Sequence, residues 1–202
     1  MSIFTAGGIV LIPIIICGLI AAFIVVERFV YFRAIDKRDE KFKKDIDIYL
    51  TRHDYLSAES ASSNADTPTA QVIKKAIQSK KLIEADMREM VQCELDVVVP
   101  QFEHWIVFLG TVANAAMLLG LLGTVIGIIE AFGVLGDGGG ILNQESLALA
   151  IAHALVTTAA GLCVAIPSFV FSSFLEKIVD SKISEMERFV TGTVLRLTGR
   201  IL

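Results

Sequence analysis

Lysine and arginine are missing from most of this chain. None precedes Arg28, and none lies between Arg88 and Lys177. Thirteen of the 18 basic residues fall from Arg28 to Arg88, and the other five from Lys177 to Arg200. With 54% hydrophobic residues, such segregation excludes an ordinary soluble domain, which spreads its charge over its surface. Cysteine is scarce as well. Cys17, Cys93 and Cys163 make no disulfide framework and read as small packing residues. A glycine-rich phosphate loop, a metal-ligand cluster and a nucleophile–base pair are all lacking, so no enzyme, cofactor or metal site is expected. Lys74, Lys75, Lys80 and Lys81 form the one group that suggests nucleic acid. A positive-inside cytoplasmic helix face explains them better, and no nucleic-acid partner is expected.

The apolar runs define the architecture. Ile9 to Val26 carries no charge and stops at Glu27 and Arg28. A signal peptide would place its positive charge first; here MSIFTAGG has none, which predicts an anchor with its N-terminus outside. Pro13 is expected to kink that helix near its outer end. Tyr31 to Pro100 reads as a charged insertion. Phe42, Ile46 and Tyr49 recur at helical spacing, Ser57 to Thr69 reads as a loop, and Thr69 to Val99 is expected to be helical, with Val72, Ile73, Ala76 and Ile77 as its apolar patch. His104 and Trp105 mark re-entry into the membrane, where tryptophan is favoured. A second span runs out to about Leu135, Gly136 to Gly140 is an outer turn, and a third span returns. Beyond Leu175 the helix is expected to continue, because Val179, Ile183, Met186, Val190, Val194, Leu197 and Ile201 keep a helical period. That amphipathic face needs a partner, either the insertion or a neighbouring subunit.

The expected fold is an all-α membrane protein, with three transmembrane helices, long cytoplasmic helical extensions, the N-terminus outside and the C-terminus inside. Its segments are a first transmembrane helix at 1–30, a cytoplasmic helical insertion at 31–104, a second transmembrane helix at 105–135, an outer loop at 136–146, a third transmembrane helix at 147–175 and a cytoplasmic amphipathic helix at 176–202. This arrangement puts both basic clusters on one side of the membrane.

The second and third spans carry matched faces of small residues. Ala113, Ala116, Gly120, Thr124, Gly127 and Ala131 recur at steps of three or four, and so do Ala150, Ala154, Thr157, Gly161, Ala165, Ser168 and Ser172. Such faces let helices approach closely in lipid. Gly120, Gly123, Gly127, Gly161 and Ala165 are the expected packing positions, buried between subunits or around a partner helix. Thr124, Thr157 and Thr158 lie at depth. Two readings stand for them: each hydroxyl bonds a carbonyl of its own helix, or together they line a polar path. His153 and Glu130 lie nearer the outer side. Ionisable groups in a span are expensive and usually face a cavity or a partner, which points to the path for His153 and to its outer mouth for Glu130; a wet headgroup position is the alternative. No acid or base stands at mid-membrane. If protons move, a second subunit supplies the carboxylate.

The runs LLGLLGTVIGIIEAF in the second span and ALVTTAAGLCVAIP in the third resemble the MotA/TolQ/ExbB proton channel family. The three-span arrangement and the insertion after the first span agree, and the short outer loop resembles the ExbB and TolQ branch. The resemblance implies a multi-pass subunit of the bacterial inner membrane with a periplasmic N-terminus. It implies a homopentamer around a dimeric, single-span partner like ExbD or TolR, whose intramembrane aspartate is the missing carboxylate. It also implies use of the proton motive force for envelope or outer-membrane work. Thr124 and Thr158 take the places of the family's second- and third-span threonines. Two positions depart: Met117 stands where the family often has proline, and His153 where the ExbB and TolQ branch usually has glutamate. The competing expectation is an oligomeric membrane scaffold that conducts nothing.

Overall fold

The computed structural model describes residues 8–136 and 144–199. In chain order these form α1 (Leu11–Thr51), α2 (Tyr55–Asn64), α3 (Pro68–Gln78), a 3-10 turn at Ser79–Lys81, α4 (Glu84–Gly136) and α5 (Gln144–Leu197). No strand occurs among the described residues. α1, α4 and α5 are each long and apolar enough to cross a membrane. The chain divides into two compact units. One holds the chain up to Val26 with Trp105–Phe174; the other holds Glu27–His104 with the chain from Leu175 onward. The expected outer turn at Gly136–Gly140 falls, after Gly136, outside the described residues.

Local chemistry sets the helix ends. Pro13 sits in the first turn of α1, where the leading N–H groups have no intrahelical acceptor, so the helix tolerates it. α1 ends at Thr51 and is closed by His53, whose φ of 57° is left-handed; the His53 N–H bonds Leu50 O at 3.1 Å and the Asp54 N–H bonds Tyr49 O at 3.0 Å. The loop expected over Ser57–Thr69 is mostly the helix α2. Asp54 caps it by accepting the Ser57 N–H at 3.1 Å. Ser62 and Ser63 turn their hydroxyls onto the carbonyls of Ala58 and Glu59, so these residues do not break the helix they appeared to interrupt. Thr67 caps α3, with Pro68 at its first position. The helix expected through Thr69–Val99 breaks after Gln78. A continuous helix would carry Lys80 and Lys81 onto the face that buries Ile73, Ala76 and Ile77.

The second unit is a helical bundle. Its buried side chains are Phe42 and Ile46 from α1, Val72 and Ile73 from α3, Met87, Val91 and Val98 from α4, and Val179, Met186, Val190 and Val194 from α5. α5 runs on past Leu175 without interruption, and its apolar stripe has its partner within its own chain. Ion pairs tie α5 to α1. Lys43 Nζ lies 2.9 Å from Glu185 and 3.0 Å from Asp39, Lys182 Nζ lies 2.7 Å from Asp36, and Arg196 meets Asp47. Thr69 of α3 donates to Asp39 at 2.9 Å.

Burial pushes the Lys43 ammonium down, but its hydrogen bonds to Glu185 and Asp39 outweigh this and hold it above its ordinary value. The hydrogen bond from Lys43 in turn holds Glu185 below the usual carboxylate range, against a smaller opposing effect of burial. A raised lysine contributes stability below its unfolded pKa and loses it as pH rises through the folded one. A lowered carboxylate contributes above its unfolded pKa and loses it as pH falls through the folded one. The cluster is therefore at full strength around neutrality and fails at both extremes. Lys43→Met leaves Asp39 short of its charge partner in a half-buried site, and should cost on the order of 1–3 kcal/mol in the thermal unfolding of the unit. The exposed Lys44, paired with the equally exposed Glu40, serves as the control: Lys44→Met should change the midpoint little.

Candidate functional site

In the first unit, α4 and α5 meet through residues that lack side-chain bulk. A Cβ added at Gly161 would stand 2.7 Å from Ala116 O and 2.9 Å from Gly120 Cα, both backbone atoms. One added at Gly127 would stand 2.5 Å from Ala154 Cβ and 3.0 Å from Ala150 O, and one at Gly123 would collide with the side chain of Thr157. Gly120 faces Gly161 and the backbone of Thr157 and Thr158. Ala113, Ala116 and Ala165 are buried. The matched small faces thus meet each other inside one chain, where the sequence suggested a neighbouring subunit or partner. α1 joins this pair, with Gly18 close against Val164. Elsewhere the unit presents large apolar side chains outward, among them Leu19, Phe23, Ile129 and Val170, as a surface facing lipid or other subunits does.

The three threonines have different surroundings. Thr124 is half-buried and donates to Leu121 O at 2.6 Å, one turn back on its own helix. Thr157 is buried and donates to Ala154 O at 2.8 Å. Thr158 donates across the helix pair, to Gly120 O at 2.8 Å. Each hydroxyl proton is taken by a backbone carbonyl, and what remains free on each oxygen is the capacity to accept.

Thr157, His153 and Glu130 come together. All three line a cavity of about 80 Å³, together with Gly123 and Gly127 of α4 and the Gly8–Val10 segment that precedes α1. His153 is half-buried and Glu130 exposed. Spacing of four residues puts His153 and Thr157 on one face of α5, while Thr158, about 140° round from His153, faces Gly120 instead. Thr124 and Thr158 are not among the cavity's lining residues. The wall from Gly8–Val10 is what reasoning from sequence missed, because that apolar segment carries no polar group to mark it. No group of three or more His, Cys, Asp or Glu side chains able to hold a metal occurs among the described residues.

The sequence pattern of the MotA/TolQ/ExbB proton channel family matches residues 64–188, which takes in about half of the second unit and the small-residue contact of α4 with α5. This chain belongs to that family. Among curated relatives, it is similar to an ExbB-like protein of Synechocystis sp., 27% identical over 175 residues that make up 86% of this chain and 83% of that protein. It is 43% identical over 79 residues to the biopolymer transport protein ExbB of Aquifex aeolicus, covering 39% of this chain and 53% of the relative. It is 38% identical over 87 residues to the Tol-Pal system protein TolQ of Haemophilus influenzae, covering 43% of this chain and 37% of the relative. The MotA/TolQ/ExbB chain described here is thus an ExbB/TolQ-like multi-pass membrane protein of a transport and channel family.

Proposed function

We propose that this chain is the proton-channel subunit of an inner-membrane motor like ExbB–ExbD or TolQ–TolR, using the proton motive force to drive envelope or outer-membrane transport. One observation carries the reading: a histidine, a glutamate and a threonine gather at one small cavity among apolar spans, where ionisable groups are costly unless they work. The path runs past His153 and Thr157, with Glu130 at its outer mouth and Thr124 and Thr158 further along. α4 has no titratable group between His104 and Glu130, and α5 has only Cys163 between His153 and Glu176, so a mid-span carboxylate must come from elsewhere. The proposed source is an intramembrane aspartate on a single-span, ExbD- or TolR-like partner enclosed by five copies of this chain. The clustering of cations in the second unit supports a cytoplasmic place for it and an outer N-terminus.

A non-conducting scaffold is the second reading. What favours it is that all three threonine hydroxyls donate to carbonyls, as packing residues do. Proton uptake separates the two. The chain purified with its single-span partner and placed in liposomes under a pH gradient should conduct protons, as read by an internal pH dye. A complex that assembles at full stoichiometry and transmits no more protons than empty liposomes, in every condition that supports its work in cells, would establish the scaffold.

A further inference from the structure

We infer that the cavity between α4, α5 and the segment just before α1 is a hydrated proton-transfer station, in which Glu130 is the acid and His153 the base it exchanges with. This deepens the proton-path reading above and rests on it. The two side chains come from facing helices and line the same space. No ion pair or hydrogen bond joins them directly among the contacts of the described residues, so the exchange runs through what fills the space between them. At about 80 Å³ the cavity has room for two or three waters, at roughly 30 Å³ each. Those waters find polar partners: the Glu130 carboxyl, the His153 ring and the Thr157 oxygen. Thr157 gives its proton to Ala154 O, so toward the cavity it is an acceptor that orients water and does not compete as a donor. Gly123 and Gly127 let α5 come close enough to bring Thr157 and His153 to the cavity, since a side chain at either would run into Thr157 or Ala154.

The transfer conserves protons and charge. A neutral Glu130 carboxyl breaks its O–H bond and passes the proton to a cavity water. That water passes one of its own protons to the unprotonated ring nitrogen of His153. Carboxylate and imidazolium now face each other with no net charge added. The imidazolium then releases the proton from its other ring nitrogen toward the inner part of the path, and the carboxylate takes the next one from the outer side. Histidine suits this because its two nitrogens accept and donate at separate points. The titratable groups lining the station are Glu130 on α4 and His153 on α5; the Gly8–Val10 segment that precedes α1 contributes none.

The test is proton flux through the assembled complex in liposomes, for Glu130→Gln, His153→Gln, the double glutamine variant and the exchange variant Glu130→His/His153→Glu. Glutamine keeps shape and polarity but does not titrate. Each single variant should lose flux by about tenfold, less than the roughly 10²-fold a positioned acid or base can supply, because water remains in the cavity. The double variant should be no worse than the poorer single one, since both groups serve one step. The exchange variant should recover flux above either single variant, because the station needs one acid and one imidazole across the water, on whichever helix. Wild-type flux in Glu130→Gln, losses that multiply in the double variant, or no recovery on exchange would each overturn the station. If His153→Gln, Thr157→Val and Glu130→Gln all keep full flux, the proton path itself has been misplaced, which is a separate failure.

Discussion

Gly161→Leu should separate α4 from α5 and leave little assembled complex. A leucine there would have to fit where even a Cβ lies 2.7 Å from Ala116 O and 2.9 Å from Gly120 Cα. Backbone does not swing aside as the end of a flexible side chain does, so the helices themselves must part. Parting them also breaks the Thr158 hydroxyl bond to Gly120 O, which lies beside the same contact. Overpacking of this kind costs on the order of 1–3 kcal/mol in cores that can relax, and this contact has backbone on both sides, which puts it at the upper end. In lipid there is little else to hold the pair, because the tails are as apolar as the side chains and association depends on close packing. Gly192, which has nothing within 4 Å of an added Cβ, is the comparison site on the same helix, and Gly192→Ala should be neutral. Detergent-resistant assembly with the partner, measured by native mass, reads both. Normal stoichiometry and stability in Gly161→Leu would show that the α4–α5 contact is not what holds the subunit together.

The same contact shows what a sequence can and cannot say. Glycine and alanine at steps of three and four mark a face built for close approach, and Gly120, Gly127 and Gly161 are where the backbones come nearest. Whether the approaching helix belongs to the same chain leaves no trace in composition, since lipid-embedded contacts within and between subunits use the same residues. The threonines pose a finer version of the problem. Thr157 and Thr158 are adjacent, about 100° apart on the helix, so the period says that they face different ways but not which of them meets α4 and which the cavity. Adjacent charges are harder still. Lys43 and Glu185 are 142 positions apart, and both helices carry charge every few residues, so partners follow only once the register of α5 on α1 is known. What the period did reveal was the stripe from Val179 to Val194, because burial on a helix needs only one chain's side-chain spacing and not its partner's identity.

His153→Lys should abolish proton-driven function while leaving assembly intact. His153 is half-buried, beside Glu130 and Thr157, at a cavity with room for only a few waters. An ammonium fixed there meets an incoming proton as a like charge. At about 4 Å and an effective dielectric near 20 the repulsion is on the order of 4 kcal/mol. The membrane supplies about 2.3 kcal/mol per charge per 100 mV over the whole crossing, which does not offset it. If the ammonium instead pairs with Glu130, the carboxylate is held ionised and the acid of the station is lost, so transfer falls in either case. His153→Gln keeps a polar group against the water without titrating, and should retain a measurable part of the function. His153→Glu puts an acid where the ExbB and TolQ branch usually has one, and should be at least partly active, because a carboxyl also accepts and releases protons. The order expected is therefore wild type, then Glu and Gln, then Lys at the floor, read as proton-dependent function in cells with assembly checked in parallel. Full activity of the lysine variant would place His153 off the path, as a wet side chain at the membrane surface.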